Sequence, residues 1–194
     1  VEGRAGYIFQ TNPFLEYSNH QYKAMKNAYA GHLKYSFQLR PHTVADQAYI
    51  GAYQGIGVGY FNFGNPEELG NPLAVYLFQG GRIAQFSPRI SLNYEWNFGA
   101  SFGWKPYDEY DNPENQIIGS KVNAYLNVNL YLKWALSPKF DLMIGATGSH
   151  FSNGNTQYPN SGLNTVDCKV GLVYNFNRRA DELAQSWQRP IVPP

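Results

Sequence analysis

Residues 121–136 read KVNAYLNVNLYLKWAL, and the run divides into two sets that alternate without a break. Val122, Ala124, Leu126, Val128, Leu130, Leu132, Trp134 and Leu136 form one set; Lys121, Asn123, Tyr125, Asn127, Asn129, Tyr131 and Lys133 form the other. Successive side chains of an extended chain project to opposite faces, so strict period-two alternation predicts a strand with one apolar and one polar wall. Residues 89–104 repeat the pattern, with Ile90, Leu92, Tyr94, Trp96, Phe98, Ala100, Phe102 and Trp104 opposed to Arg89, Ser91, Asn93, Glu95, Asn97, Gly99, Ser101 and Gly103. Shorter or less regular runs at Glu2–Phe9, Ala30–Leu39, Gln47–Phe63, Leu73–Phe86, Phe140–Ser152 and Val166–Phe176 bring the number of predicted strands to eight. Eight strands make a small closed barrel, and the longer runs exceed the roughly 9–11 residues that cross a bilayer at a tilt.

The connections alternate in length. Arg40–Asp46, Ser87-Pro88 and Ser137–Lys139 are short, whereas Gln10–Tyr29, Gly64–Pro72, Lys105–Ser120 and Asn153–Thr165 are long and polar. In an up-and-down barrel this puts all short turns at one end and all long loops at the other, the arrangement of bacterial outer-membrane barrels with periplasmic turns and extracellular loops. The composition agrees: 16 Tyr, 12 Phe, 4 Trp, 19 Gly and 12 Pro suit strands and turns. No stretch approaches the ~20 apolar residues of a membrane helix, so any membrane crossing must be made by strands. The chain begins at Val1 without a charged-then-apolar leader, and a secretion signal is expected to have been removed before it.

Two-faced strands also fit a soluble barrel whose apolar wall surrounds a ligand. Two features favour the membrane arrangement, with the apolar wall outside. Lys34, Glu95, Lys121, Lys133, Asp167 and Lys169 fall on the polar wall, where opposite charges can pair inside a narrow lumen. Trp104 and Trp134 fall near opposite ends of the apolar wall, at the levels where interfacial aromatic girdles lie. Residues 1–177 are therefore read as the barrel, and 178–194, which lose the alternation and end in a Pro-rich stretch, as a periplasmic tail.

Charge and cysteine content narrow the function. Fifteen basic against 14 acidic residues leave no nucleic-acid footprint, and the single Cys168 supports neither an internal disulfide nor a zinc site. No cofactor-binding motif is present, and the sequence carries no mark of oligomeric state. The acidic loop around Asp108, Glu109, Asp111 and Glu114 lacks the spacing of a calcium loop and reads as a solvated face. His20, His32 and His42 are scattered without ligand spacing, and Glu95 reads as the partner of an interior cation.

One constellation carries chemistry. The sequence GSHFSNGN at 148–155 is followed by PNSG at 159–162. In a strand, His150 and Ser152 project to the same face, close enough for imidazole to take the hydroxyl proton. By parity that face continues Leu142, Ile144, Ala146 and Gly148, so nucleophile and base would look into lipid at the long-loop end of the seventh strand. Such a placement suits an acyl chain already lying in the outer leaflet. Asn153 and Gly154 offer an amide and an unhindered N–H for a developing oxyanion.

In these residues the chain resembles the PagL-like lipid A 3-O-deacylases and related bacterial acyloxyacyl hydrolases. That family has His-x-Ser-Asn near the end of the seventh of eight strands, then Pro-Asn-x-Gly, matched here by His150, Ser152, Asn153 and by Pro159, Asn160, Gly162. The resemblance implies a metal-free serine esterase of the bacterial outer membrane that removes an ester-linked acyl chain from lipid A of lipopolysaccharide, working among membrane lipids. It makes Ser152 the nucleophile, His150 the general base, and Asn153 with Gly154 the oxyanion donors. Twelve residues after the Ser, the family's best-known members have Glu and this chain has Asn164. Asn164 shares the outward parity of His150 if the eighth strand is already extended there, whereas Asp167 points inward. The substitution is the main support for the alternative reading, a non-enzymatic structural or adhesive barrel.

Overall fold

A computed structural model of the chain describes residues 1–38 and 51–178. Eight antiparallel strands close into a barrel in sequence order, each bonded to its neighbours and the first to the last. They are β1 (Glu2–Ile8), β2 (Asn27–Gln38), β3 (Tyr53–Asn62), β4 (Gly70–Ser87), β5 (Ile90–Trp104), β6 (Val122–Ala135), β7 (Phe140–Ser152) and β8 (Leu163–Tyr174). A one-turn helix, α1 (Pro13–Glu16), lies between β1 and β2, with the Asn12 side chain accepting from the Phe14 N–H. The β4–β5 and β6–β7 turns lie at one end, and the loops after β1, β3, β5 and β7 at the other. The expected turn at Arg40–Asp46, residues 47–50 of the third expected strand, His42, and the tail beyond Arg178 lie outside the described residues.

Apolar residues face outward. On β6, Leu126, Val128, Leu130, Leu132 and Trp134 are 43–64% exposed, while Asn123, Tyr125, Asn127, Asn129 and Tyr131 are at most 5% exposed. That order excludes the ligand-carrying barrel with its apolar wall inside, since exposed side chains of this kind encircle the whole cylinder and need lipid around them.

The lumen has two layers. Toward the short turns it is charged: Glu2 takes Arg4 Nε at 2.6 Å and Lys169 Nζ at 2.8 Å, and Lys34 pairs with Glu95. Lys169 also donates to Asn129 Oδ1 at 3.0 Å, and the Tyr53 hydroxyl donates to Glu95 at 3.1 Å. Each of these five charges thus has a partner where bulk water is displaced, and removing one member of such a pair typically costs about 3–5 kcal/mol. Toward the long loops the lumen is aromatic. Phe61, Phe63, Trp104, Tyr125 and Phe151 are all buried, and Phe151 packs on the other four at centroid distances of 5.0–5.7 Å.

Two placements differ from expectation. Trp104 faces the lumen, 4% exposed, with its indole N–H donating to Ser101 Oγ at 2.8 Å. Gly103, at φ +87°, adopts a conformation in which a side-chain-bearing residue is strained, and there the alternation changes phase. Lys121 is exposed just before β6, outside the lumen, because the strand begins only at Val122. Glu95, Lys34 and Lys169 lie inside as their parity required, and Asp167 turns inward to accept from Thr165 Oγ1 at 2.8 Å.

Candidate active site

The loop end of β7 and the start of β8 bring three side chains into one hydrogen-bonded line on the outer wall. His150 Nε2 is 2.9 Å from Ser152 Oγ, and His150 Nδ1 is 2.7 Å from Asn164 Oδ1. Pairing of β7 with β8 sets this up, because His150 and Asn164 are direct cross-strand partners. With the Asn164 oxygen facing Nδ1, the imidazole carries its proton there and donates it to the amide, leaving the Nε2 lone pair to accept from the serine hydroxyl. β8 begins at Leu163, three residues before the expected Val166, and this earlier start gives Asn164 its outward parity.

The strand is held from inside. Phe151, between His150 and Ser152 in sequence, points the opposite way into the aromatic layer and is fully buried. Rings packed around it leave β7 little freedom to rotate about its axis, and the outward pair is positioned accordingly.

The loop 153–162 closes over the rim. Asn153 N–H donates to Asn160 Oδ1 at 3.0 Å, and Asn153 Nδ2 donates to Gln157 O at 2.7 Å. Of the expected oxyanion donors, the Asn153 side-chain amide thus has one hydrogen directed at Gln157 and the other free of these bonds, while the Asn153 backbone N–H serves the loop through Asn160. Gly154 N–H has no protein acceptor among the described residues, and Gly154 is exposed. Gly162, at φ +73°, lies against β7; a Cβ added there would be 3.1 Å from His150 Cε1. Neighbouring loops brace this one: Asn12 Nδ2 donates to Ser161 Oγ at 3.2 Å, and Gly162 N–H donates to Ile117 O at 3.3 Å. The bracing contacts of Asn12, Ile117 and Phe151 were not read from the sequence, since all are long-range; the PNSG motif was the one signal pointing to Asn160 and Gly162.

Below the line, toward the short-turn end, the outer wall is hollowed. Val128, Leu130, Ala146, Gly148 and Val166 line an open trough of about 300 Å³. Its upper end adjoins His150, two residues from Gly148 on the same face of β7. In the acidic loop, Asp108 accepts from the N–H groups of Tyr110 and Asp111, at 2.9 and 3.0 Å, which holds its carboxyl below the usual range and closes the loop on itself.

Residues 76–173, half of the chain, match the model of the family described as Lipid A 3-O-deacylase (PagL). The chain belongs to that family. Among solved structures, one described as "Crystal structure of the outer membrane enzyme PagL" is similar, with a TM-score of 0.62, 14% identity, and coverage of 89% of this chain and 97% of that one. At that identity the likeness is one of fold, and the fold of this PagL-family chain is the eight-stranded outer-membrane barrel. No curated protein sequence matches it. The matched region begins within β4 and ends within β8, so His150, Ser152, Asn153, Gly154 and Asn164 all lie inside it.

Proposed function

We propose that the protein is a serine esterase of the outer membrane that hydrolyses the 3-O-linked acyl chain of lipid A, with Ser152 as nucleophile, His150 as general base and Asn164 as the residue orienting the imidazole. The observation that carries the reading is the unbroken line Ser152–His150–Asn164 on a lipid-facing wall. A hydrogen-bonded nucleophile, base and orienting group is the arrangement that acyl transfer needs, and its exposure to lipid suits a substrate whose ester lies at the membrane surface.

His150 Nε2 takes the Ser152 proton as Oγ attacks the ester carbonyl carbon. The negative charge that develops on the carbonyl oxygen is received by Gly154 N–H and the second amide hydrogen of Asn153 Nδ2. The tetrahedral species expels the sugar oxygen, which takes the proton from His150, and the acyl group stays on Ser152. Water then attacks the acyl-enzyme with His150 as base, releasing the fatty acid and restoring the hydroxyl. No step calls for a metal or a cofactor. The acyl chain lies in the trough below His150, where Gly148 adds no side chain to the wall and Val128, Leu130 and Val166 give apolar contact.

The test is the mass of lipid A before and after incubation with the purified barrel. Hydrolysis removes one acyl group as free acid, and Ser152→Ala abolishes that loss while keeping the heat-modified gel mobility of a folded barrel. A Ser152→Ala protein as active as the parent would refute the assignment.

A further inference from the structure

We infer that the loop 153–162 recognises the sugar headgroup of the substrate, with Tyr158 as the stacking platform and the amides of Asn155 and Gln157 as partners for its hydroxyls; this rests on the esterase reading above. The loop starts one residue after Ser152, so whatever alcohol the acyl group leaves must lie against it. Residues 153–162 read NGNTQYPNSG and contain no charged side chain. A phosphodiester headgroup would call for a cation here. A sugar ring calls for neutral donors and acceptors beside a flat apolar surface, and Asn, Gln and Tyr supply both.

The loop is built to present these groups. Its interior bonds are made by Asn153, Thr156 and Asn160: Thr156 Oγ1 donates to Asn153 O at 2.9 Å, and Asn160 Nδ2 donates to Asn155 Oδ1 at 3.0 Å. With the contacts to Ile117 and Asn12 behind it, the backbone is fixed before a ligand arrives, which lowers the ordering cost of binding. Tyr158 is 75% exposed, and its hydroxyl, the Gln157 side chain and the Asn155 Nδ2 group make no hydrogen bond to the described residues. An aromatic side chain held out in this way has no part in the barrel's own packing, and with only two rotatable bonds it loses little entropy on contact.

The experiment measures binding and turnover separately. Binding is read on Ser152→Ala barrels in detergent micelles, with an acylated glucosamine lipid and with phosphatidylcholine as probes. Turnover is read on the parent enzyme as the rate ratio between the glycolipid and the methyl ester of the same fatty acid. Adding Tyr158→Ala is expected to weaken glycolipid binding about tenfold and to lower the rate ratio similarly, whereas Tyr158→Trp retains both. Phosphatidylcholine binding is expected to be weaker than glycolipid binding and indifferent to Tyr158→Ala. Glycolipid affinity unchanged by Tyr158→Ala, or an equal loss for both lipids, overturns the inference. If the parent hydrolyses neither ester while Tyr158-dependent glycolipid binding persists, the esterase reading fails and headgroup recognition stands.

Discussion

Removing the Asn164 side chain should lower hydrolysis substantially while leaving the barrel closed. Asn164 Oδ1 is 2.7 Å from His150 Nδ1, in a cross-strand pair that fixes both backbones. At rest this is a bond between neutral groups; when imidazole takes the serine proton its donor becomes positively charged. A hydrogen bond to a charged group contributes about 1.5–3 kcal/mol. With a factor of ten per ~1.36 kcal/mol, Asn164→Ala should reduce kcat/KM by roughly 10–150-fold. Asn164→Asp keeps the length of the side chain and places a carboxylate where the amide was. Its attraction to the imidazolium has a gross value of about 4 kcal/mol at ~4 Å in a partly exposed setting, offset by desolvation, so activity should be retained or raised. Asn164→Glu, which restores the family's acid, is expected to behave in the same direction. Asp167→Ala is the control: its carboxylate faces the lumen and accepts from Thr165, so it has no route to the imidazole. The assay is kcat/KM on micellar lipid A, with heat-modified mobility to verify folding. An intact barrel damaged more by Asp167→Ala than by Asn164→Ala would refute the proposed relation between β7 and β8 and make Asp167 the orienting residue.

Gly162→Ala should impair hydrolysis more than assembly, because the added methyl meets His150 Cε1 at 3.1 Å on a backbone held at φ +73°; at that conformation Ala costs about 1–2 kcal/mol, and unchanged turnover would argue against the contact. Phe151→Ala should destabilise the barrel by about 3–5 kcal/mol, read from urea unfolding in detergent, since it empties the middle of the aromatic layer. Leu130→Arg should cost about 2–4 kcal/mol of assembly and Leu126→Arg less, because Leu126 pairs with His150 near the rim and Leu130 lies two rows deeper; equal costs would misplace the rim relative to the bilayer.

Alternation named the fold, and the limits of its power are physical. It assigns a face but not what fills it: Phe61, Tyr125 and Phe151 occupy lumen positions that parity labels as interior, and nothing local announces that they meet as one layer. The same limit applies to Asn127, which parity places on the polar wall without saying how much room surrounds it. In the structure it is enclosed, its amide donating to Ser149 Oγ at 2.9 Å and Gly148 O at 2.8 Å, so a longer cation there would overfill the lumen. Trp104 was placed outside because parity was carried through Gly103, where a positive φ ends the regular pleat. The start of β8 was placed late because Asn164 and Thr165 are polar and carry no hydrophobic signal, although pairing with β7 makes them strand. The helix α1 was legible in principle, since Asn12 followed by Pro13 is a cap followed by the residue preferred at the first helical position.

His150 and Ser152 were legible for a different reason. Their relation depends only on period two within one strand, whose bounds Phe140–Ser152 coincide with the run read from sequence. Asn164 needed one further condition, that β8 already be extended there; its parity then faced it outward, but its pairing with His150 depends on a register between two strands that alternation alone does not fix. The same alternation that aims His150 and Ser152 at lipid aims Phe151 into the lumen, so the fit of the interior is transmitted to the exterior without any side chain crossing the wall. The ladders to β6 and β8 hold the strand along its length, and the packed rings add to that restraint at the level where Ser152 Oγ must stay within hydrogen-bond reach of the imidazole. Filling the lumen beneath the site therefore serves the chemistry as well as the closure of the cylinder, and it places the aromatic layer at the loop end, level with Ser152, and the charged layer farther down.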